Sequence, residues 1–436
     1  MNITIIGTGY VGLVAGACFA KAGHNVISID KNPEIISHLN NLKLPIFEPN
    51  LQKLVNKSFK ENRLKFSNSY KEGCKNKIIF ICVDTPSKEN GKADLTNLKK
   101  VLNSLIKYIK PGTILITKST VPVGTNNFIK EFFKKKISNP AMNLKFCSNP
   151  EFLREGSAVK DFLKPERIII GCDSPAGRNI MKKIYSSLDK NFSKKIIYMS
   201  ITSAELSKYA ANAFLATKIS FVNEIAKISD SVGANMHEIK MTLGSDSRIG
   251  NQFLDAGLGF GGSCFPKDLK ALISLEKKFK LEPSIINSVF ELNNSQINYF
   301  YAKIKKFYGQ SLKNKNVCLW GLSFKPNTDD IRESMAIQLV KKLSPKVKNI
   351  RLHDPVANNK AETELCLLNN LEFFDDMYSA LDNADCLIIA TEWEIFSTAK
   401  INKLYGLKDR IIFDARNVLD AKQLEKYNII YKGIGC

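Results

Sequence analysis

The chain has 436 residues, of which 44% are hydrophobic and 24% charged, and its formal net charge is +22 at pH 7. These fractions are typical of a globular protein with two or three domains, and no apolar run has the length of a membrane span. The lysines are spread through the chain instead of forming a basic arm. We therefore expect no membrane partner and no nucleic-acid partner, and a non-enzymatic protein that binds RNA or DNA is the disfavoured alternative.

Cysteine and histidine usage narrows the chemistry further. The ten cysteines contain no C-x-x-C pair, which argues against a zinc site and against a disulfide framework. The four histidines form no H-E-x-x-H pattern, so we expect no metal and catalysis without histidine. The first residues lack the basic leader and cleavage site of a signal peptide, which predicts a cytoplasmic protein.

The first 200 residues alternate short β-branched runs with helical patterns, as in a doubly wound parallel sheet. Strands are predicted at residues 2–6, 25–29, 77–83, 113–117 and 167–171. A glycine-rich turn follows the first of them. Gly7, Gly9 and Gly12 form a G-x-G-x-x-G motif that opens a helix, and Asp30 ends the second strand.

In such a motif the glycines let the backbone approach a pyrophosphate at the helix N-terminus, and the acid accepts hydrogen bonds from the adenosine ribose. Because Asp30 would repel a 2′-phosphate, the pattern predicts NAD and not NADP. Thr85 with Pro86, and Ser119 with Thr120, follow two further predicted strands. Ligands of open sheets bind outside the carboxyl ends of the strands, so these residues lie near the cofactor or form ordinary turns.

A long amphipathic helix is predicted from a capping box at residues 202–205. Apolar residues then recur at steps of three and four from Leu206 to Val232, forming a stripe that is either a dimer surface or part of an intramolecular core. Lys208 and Asn212 lie on the opposite face. There they either serve a site or are simply solvated.

A glycine-dense run from Gly257 to Gly262 leads to Cys264. Pro266 suits the first position of a helix, so the run predicts a helix start beside the cysteine. The helix N-terminus and the neighbouring Lys267 would stabilise a thiolate. The sequence thus predicts an activated nucleophile, and the alternative is a buried cysteine in a structural turn.

Strands are predicted again at residues 316–320, 350–353, 385–390 and 410–414. The expected architecture is α/β, with two Rossmann-like doubly wound domains joined by a long central helix. The domains are predicted at residues 1–200 (NAD-binding), 201–312 (helical, with the dimer surface and the cysteine loop) and 313–436 (α/β).

These motifs resemble those of the nucleotide-sugar 6-dehydrogenases. The matching segments are 7–12, 119–122, 149–156, Lys208 with Asn212, 259–268 and 324–332, in the family's order. The resemblance implies oxidation of a primary alcohol to a carboxylate, with two NAD reduced in succession and a thiohemiacetal and thioester on Cys264. Segments 253–257 and 265–268 favour UDP-glucose as the small-molecule substrate, bound by the C-terminal domain, with GDP-mannose as the alternative.

The resemblance also implies individual roles. Lys208 and Asn212 stabilise the alkoxide, and Asp268 takes the alcohol proton directly or through a water. Glu151 and Glu155, predicted to lie one helical turn apart on a shared face, serve as the acid/base for thioester hydrolysis and as a contact between substrate, nicotinamide and Thr120.

Arg248 is expected to reach the substrate of a neighbouring subunit, which predicts a homodimer. The cofactor-binding residues given by motif and resemblance are Gly7, Gly9, Tyr10, Val11, Gly12, Asp30, Thr85, Pro86, Ser119, Thr120, Glu155, Lys267 and Arg332. The substrate-binding residues are Phe152, Leu153, Arg154, Glu155, Lys208, Asn212, Arg248, Phe253, Leu254, Asp255, Ala256, Gly257, Gly261 and Lys325.

Overall fold

The computed structural model describes residues 1–88, 90–137 and 139–436. The chain divides into two compact units, unit 1 (Met1–Ala211) and unit 2 (Asn212–Cys436). The strands of unit 1 are β1 (Asn2–Ile6), β2 (Asn25–Ile29), β3 (Leu64–Ser67), β4 (Ile78–Ile81), β5 (Ile114–Thr117), β6 (Lys145–Ser148), β7 (Ile168–Cys172) and β8 (Ile196–Met199). Those of unit 2 are β9 (Asn316–Trp320), β10 (Asn349–His353), β11 (Leu371–Phe373), β12 (Cys386–Ile389), β13 (Ile411–Asp414) and β14 (Ile430–Lys432).

The helices that begin in unit 1 are α1 (Tyr10–Lys21), α2 (Pro33–Asn40), α3 (Leu51–Lys60), α4 (Tyr70–Gly73), α5 (Thr96–Ile106), α6 (Thr125–Lys136), α7 (Ala158–Leu163), α8 (Pro175–Ser186) and α9 (Ile201–Val232). Those of unit 2 are α10 (Met236–Ser245), α11 (Phe265–Lys278), α12 (Ile285–Tyr308), α13 (Met335–Leu343), α14 (Asn358–Glu364), α15 (Glu394–Ser397), α16 (Ile401–Leu404) and α17 (Ala421–Glu425). None of the described helices has the length and hydropathy to cross a membrane.

The sheet of unit 1 has the strand order β3-β2-β1-β4-β5-β6-β7-β8, and it is parallel except between β6 and β7. Its central strands are runs of isoleucine and other apolar residues that are buried on both faces, as expected where helices cover both sides of a sheet. The order reverses between β1 and β4. The loops at that reversal carry Gly7, Gly9 and Gly12 after β1, and Thr85 and Pro86 after β4. Ligands of open sheets bind at this point.

The sheet of unit 2 is fully parallel, with the order β11-β10-β9-β12-β13-β14. Both sheets therefore share the doubly wound pattern, in which the first strand is central and the order reverses beside it. Helix α9 is 32 residues long and runs from unit 1 into unit 2. The predicted fold class, two Rossmann-like domains joined by a long helix, is confirmed.

For each of the two faces of α9, the sequence left two alternatives open, and the burial of the side chains distinguishes them. The large residues of the apolar stripe are mostly exposed, with Phe214 at 68%, Phe221 at 50% and Val232 at 69% relative accessibility, although Ala213 is buried and Ile225 packs against the core of unit 2. Lys208 and Asn212 are buried instead. An intramolecular core for these stripe residues, and solvation for Lys208 and Asn212, are thus the wrong alternatives. Spacing alone defined the two faces but not which one is covered.

Candidate active site

The turn between β1 and α1 has the geometry of a phosphate-binding loop. Gly7 has φ of +99°, and a Cβ atom on Gly12 would lie 1.9 Å from the Gly7 carbonyl oxygen, so neither position accepts a side chain. Gly9 is the N-cap of α1 and provides no side-chain cap, which leaves the first amides of the helix to a bound anion. These residues fit the pyrophosphate of a dinucleotide.

Asp30 lies directly after β2 and is oriented by the same turn. Its Oδ2 accepts hydrogen bonds from the N–H and the hydroxyl of Thr8, each at 2.9 Å, and its Oδ1 accepts from the Asn32 N–H at 3.1 Å. The residue is half-buried. Because a carboxylate has about four acceptor sites, Asp30 retains capacity to accept from ribose hydroxyls.

The loops after β4 and β5 are tied to each other by the predicted hydroxyl residues. The Ser119 hydroxyl donates to the Val83 carbonyl oxygen at 2.7 Å, and the Thr85 hydroxyl donates to the Thr120 carbonyl oxygen at 2.6 Å. Both protons are thereby used, and the hydroxyl oxygens face ligands as acceptors only. These residues, and Pro86 next to Thr85, follow β4 and β5, so they lie at the carboxyl end of the unit 1 sheet.

The segment that carries Glu151 and Glu155 does not form the predicted helical turn. Residues 151–154 are irregular, and α7 begins only at Ala158. Glu151 Oε2 accepts the Leu153 N–H at 2.6 Å, and Gly156 has φ of +80°. The prediction that the two acids share one helical face is wrong, because a local side-chain hydrogen bond and a left-handed glycine replace the helix.

Glu151 forms a buried ion pair with Lys208 in α9. The Lys208 Nζ lies 3.3 Å from Glu151 Oε1, and the two side chains are 4% and 6% exposed. The same Nζ lies 5.1 Å from the centre of the Phe152 ring, which favours a cation further. Removal of either partner would leave the other charge buried and uncompensated. Unit 1 therefore joins a candidate acid/base to a candidate alkoxide stabiliser.

Cys264 is the N-cap residue of α11, and Pro266 lies in the first turn of that helix. This confirms the predicted helix start. The thiol is half-buried, and its Sγ lies 3.6 Å from the Ser263 Oγ. A thiolate at the N-terminus of a 14-residue helix is favoured by the unpaired amides and the helix dipole.

One turn into α11, Asp268 is the centre of a second cluster. Its side chain is 1% exposed, and its Oδ1 accepts from Lys267 Nζ at 2.7 Å. Its Oδ2 accepts from Asn212 Nδ2 at 2.6 Å. The structure thus brings Asn212, Lys267 and Asp268 into contact. Asp268 lies four residues after Cys264 in the sequence. Both oxygens of the buried carboxylate are thus hydrogen-bonded, as a buried charge requires.

Three buried amide side chains hold the glycine loop, and the sequence patterns did not reveal them. Asn223 Oδ1 accepts the Gly257 N–H at 2.8 Å, and Gln296 Nε2 donates to the Gly257 carbonyl oxygen at 2.9 Å. Asn293 accepts the Phe260 N–H at 2.8 Å and donates to the Phe260 carbonyl oxygen at 3.0 Å. The only available signal was the presence of amides among the apolar residues of α9 and α12.

The last glycines of the loop pack against residues 324–333. A Cβ atom on Gly261 would lie 2.3 Å from the Glu333 carbonyl oxygen, and one on Gly262 would lie 2.6 Å from the Phe324 ring. The Gly262 N–H donates to the Arg332 carbonyl oxygen at 2.9 Å. The loop is therefore a fixed wall next to the segment that carries Lys325, whose Nζ lies 5.4 Å from the centre of the Phe324 ring.

Several predicted binding side chains are engaged within their own unit. Leu254 and Ala256 belong to the core of unit 2, so they can offer a ligand only their backbone. Val11 and Leu153 pack against the core of unit 1. Four charged residues have charged partners: Arg154 with Asp161, Arg248 with Asp246, Arg332 with Asp330, and Asp255 with Lys240.

Phe253, beside Leu254, has φ of +62°, and its ring centre lies 6.3 Å from that of Phe265, the first residue of α11. Within residues 1–88, 90–137 and 139–436, no three His, Cys, Asp or Glu side chains are grouped to hold a metal ion.

Comparison with known proteins identifies the class that this fold and these clusters define. Residues 1–189 match the NAD binding domain of the UDP-glucose/GDP-mannose dehydrogenase family, residues 202–295 match its central domain, and residues 318–421 match its UDP binding domain. The chain belongs to this family.

The similarity extends over full-length relatives. The UDP-glucose 6-dehydrogenase of Rickettsia bellii is 40% identical and aligns with 100% of this chain and 99% of its own. The structure of a UDP-glucose dehydrogenase from Pyrobaculum islandicum has a TM-score of 0.90 at 33% identity, covering 100% of this chain and 97% of the other. The GDP-mannose dehydrogenase of Pseudomonas aeruginosa is 29% identical and covers both chains completely, with a TM-score of 0.55.

Proposed function

We propose that the chain oxidises UDP-glucose to UDP-glucuronate at C6 and uses NAD as cofactor. The single observation that carries the proposal is the position of Cys264 at the N-terminus of α11, one turn before the buried Asp268. The match to an NAD binding domain and the full-length similarity to UDP-glucose 6-dehydrogenases support it. The glycine turn and Asp30 would hold the dinucleotide, which supplies a hydride acceptor in each of two oxidations.

The residues have complementary roles in this chemistry. In the first oxidation the C6 alcohol loses a proton to Asp268, directly or through a water, while Lys208 and Asn212 stabilise the alkoxide. The aldehyde that results is attacked by the Cys264 thiolate, which forms a C–S bond and gives a thiohemiacetal. The second oxidation converts this adduct to a thioester. Water, assisted by Glu151, then cleaves the C–S bond and releases the carboxylate and the thiol.

The remaining predicted residues have binding roles in the proposal. Thr120 and Glu155 lie between substrate and nicotinamide, and Lys325, Gly261 and the backbone of residues 253–257 bind the nucleotide sugar. Arg154, Arg248 and Arg332 each form an ion pair with an aspartate, so each must give up that ion pair to bind a ligand with its guanidinium group. Arg248 is 87% exposed at its side chain, which suits the proposed contact with the substrate of a second subunit.

The test measures NADH release with purified full-length protein and a panel of UDP- and GDP-sugars. Two NADH per UDP-glucose and no free aldehyde are expected. Cys264→Ser should keep NAD binding and lose turnover to the carboxylate. One NADH per sugar with accumulating aldehyde would refute the thioester route, and a preference for GDP-mannose would establish the alternative substrate.

We also infer a homodimer formed through the exposed face of α9. Leu206, Phe214, Phe221, Ile228 and Val232 are between 42% and 69% exposed and recur at helical spacing. A contiguous apolar patch of this kind marks a protein interface. Phe221→Glu should shift the protein from dimer to monomer in light scattering, whereas Lys277→Glu, at an exposed position of α11, serves as the charge-changing control.

Two further predictions stay proposals. The division into domains at residues 1–200, 201–312 and 313–436 is supported by the three matched family ranges, each of which falls within one proposed domain. The cytoplasmic location stays a prediction from the sequence, and fractionation of cells that express the tagged chain would test it.

A further inference from the structure

Glu48 is a buried carboxylate with contacts to two segments of the candidate site. It lies between α2 and α3 and is 6% exposed. Its Oε2 accepts hydrogen bonds from the Tyr10 hydroxyl and from the Gly156 N–H, the latter at 2.7 Å. Its Oε1 accepts the Val159 N–H at 3.4 Å. Burying a carboxylate without such donors costs free energy, so these hydrogen bonds hold Glu48 and its three partners in place.

Two of the three partners of Glu48 belong to segments with a proposed function. Tyr10 is the first residue of α1, directly after the glycine turn. Gly156 follows Glu155 and ends the segment that begins with Glu151. The Gly156 N–H also lies 2.8 Å from the Tyr10 hydroxyl oxygen, so Tyr10, Glu48 and Gly156 form a closed triangle of hydrogen bonds. The cofactor turn and the carboxylate segment are thereby linked across 146 residues of sequence.

The triangle also defines the state of the Tyr10 hydroxyl. Burial and the hydrogen bond to Glu48 hold the pKa of Tyr10 well above its usual range, so the hydroxyl keeps its proton and donates it to Glu48. Its oxygen accepts the Gly156 N–H. The hydroxyl is thus committed inside unit 1, and the cofactor role expected for Tyr10 is left to its backbone at the start of α1.

We propose that Glu48 is a positioning residue: through Tyr10 and Gly156 it holds the segment with Glu151 and Glu155 in register with the dinucleotide turn. This inference rests on the proposed function for its catalytic consequence. The hydrogen-bonded link itself is independent of the substrate. Loss of the link should therefore misplace the acids without removing any group that contacts the nucleotide sugar.

The experiment compares full-length Tyr10→Phe, Glu48→Gln and the double variant with the exposed controls Tyr108→Phe and Glu131→Gln. Glu48→Gln turns one acceptor oxygen into an N–H donor that faces backbone N–H groups. We expect kcat to fall about tenfold in Glu48→Gln and by a similar factor in Tyr10→Phe, with KM for UDP-glucose within about twofold of wild type. The double variant should be no worse than Glu48→Gln, because both changes break one link.

Amide hydrogen exchange without substrate gives an independent readout. Exchange across residues 152–163 should accelerate about tenfold in Tyr10→Phe and Glu48→Gln and stay unchanged in both controls. If Glu48→Gln does not fold, Tyr10→Phe alone decides. Multiplicative losses in the double variant, or weaker NAD binding by Tyr10→Phe with unchanged kcat and exchange, would overturn the inference. A wild-type protein that oxidises no nucleotide sugar would refute the proposed function, while the exchange experiment would still test the link.

Discussion

The buried Asn293 predicts how strongly the glycine loop depends on its scaffold. In Asn293→Leu the side chain keeps a similar volume, but the Phe260 N–H and carbonyl oxygen lose their partners at 2.8 and 3.0 Å. A buried polar group left without a partner costs about 1–3 kcal/mol. Part of this cost is offset because the buried amide of Asn293 is itself removed. We therefore expect the free energy of unfolding of unit 2 to fall by about 3 kcal/mol.

Calorimetry and turnover of the full-length protein test this expectation. For a unit of about 150–250 residues, each kcal/mol lowers Tm by about 2–4 °C, so the unit 2 transition should fall by about 6–12 °C. Turnover should fall as well, because Phe260 lies four residues before Cys264. Asn294→Leu, the same change at the adjacent exposed position of α12, is the matched control and should do neither. Equal melting temperatures for the two variants would refute the reasoning.

Three further predictions concern single contacts. Gly261→Ala should lower kcat at least about tenfold, because its Cβ would lie 2.3 Å from the Glu333 carbonyl oxygen. Gly406→Ala is the kinetic control, because its Cβ would lie 3.6 Å from the Lys403 carbonyl oxygen. Asp268→Asn should lower turnover about a hundredfold in the NADH assay while NAD binding, followed by fluorescence, persists. Burial works to raise the pKa of Asp161, but the Arg154 hydrogen bonds outweigh it and hold the pKa below its usual range. The ion pair therefore stabilises the fold above the unfolded pKa of about 3.9, and this contribution is lost as pH falls through the lower folded pKa. Asp161→Asn should melt below wild type at pH 7, and the difference should shrink as pH falls below about 3.9.

The geometry of the glycine turn and of Asp30 was predictable because its determinants are local. Gly7, Gly12 and Asp30 all lie within one strand–helix–strand unit, and the structure gives each the expected conformation. The start of α11 was predictable for the same reason, since Pro266 and the preceding glycines are sequence neighbours of Cys264. The patterns used for the fold, strand runs and helical periods, are likewise short-range.

The parts that escaped prediction depend on contacts distant in sequence. Asn293 and Phe260 are 33 residues apart, and no spacing rule pairs them. The orientation of α9 escaped for a different reason, because a period of 3.6 residues defines two faces without saying which is covered. Glu151 and Glu155 do not share a helical turn, although their spacing allows one, because Glu151 accepts a local backbone hydrogen bond and Gly156 has a positive φ.

The two sheets invite a comparison of their first turns. In unit 2, Gly321 follows β9 with φ of +92°, and its N–H donates to the last residue of β10 at 2.8 Å, as the Gly7 N–H donates to the last residue of β2 at 2.8 Å. Asp354 then occupies the position that Asp30 has after β2. The backbone path at the start of the turn is thus the same in both units.

The acid after the second strand is used differently in unit 2. Asp354 is 2% exposed, and its Oδ2 accepts from the Leu322 N–H, the Ser323 N–H and the Ser323 hydroxyl. Its Oδ1 accepts from two more backbone N–H groups. With about four acceptor sites, this carboxylate has no capacity left for a ribose. In unit 1 a helix begins three residues after Gly7, whereas in unit 2 residues 321–334 separate β9 from α13.

Unit 2 therefore has a doubly wound sheet but lacks the turn that fits a dinucleotide in unit 1. Among the described residues, only the turn of unit 1 has this geometry. In the proposed reaction both oxidations therefore use that site in succession, and the first NADH leaves before the second NAD binds. Titration calorimetry should give one NAD per chain, and Asp30→Ala should weaken that binding about 10- to 100-fold. Two NAD per chain, or NAD binding whose affinity is unchanged in Asp30→Ala, would contradict the saturation of Asp354.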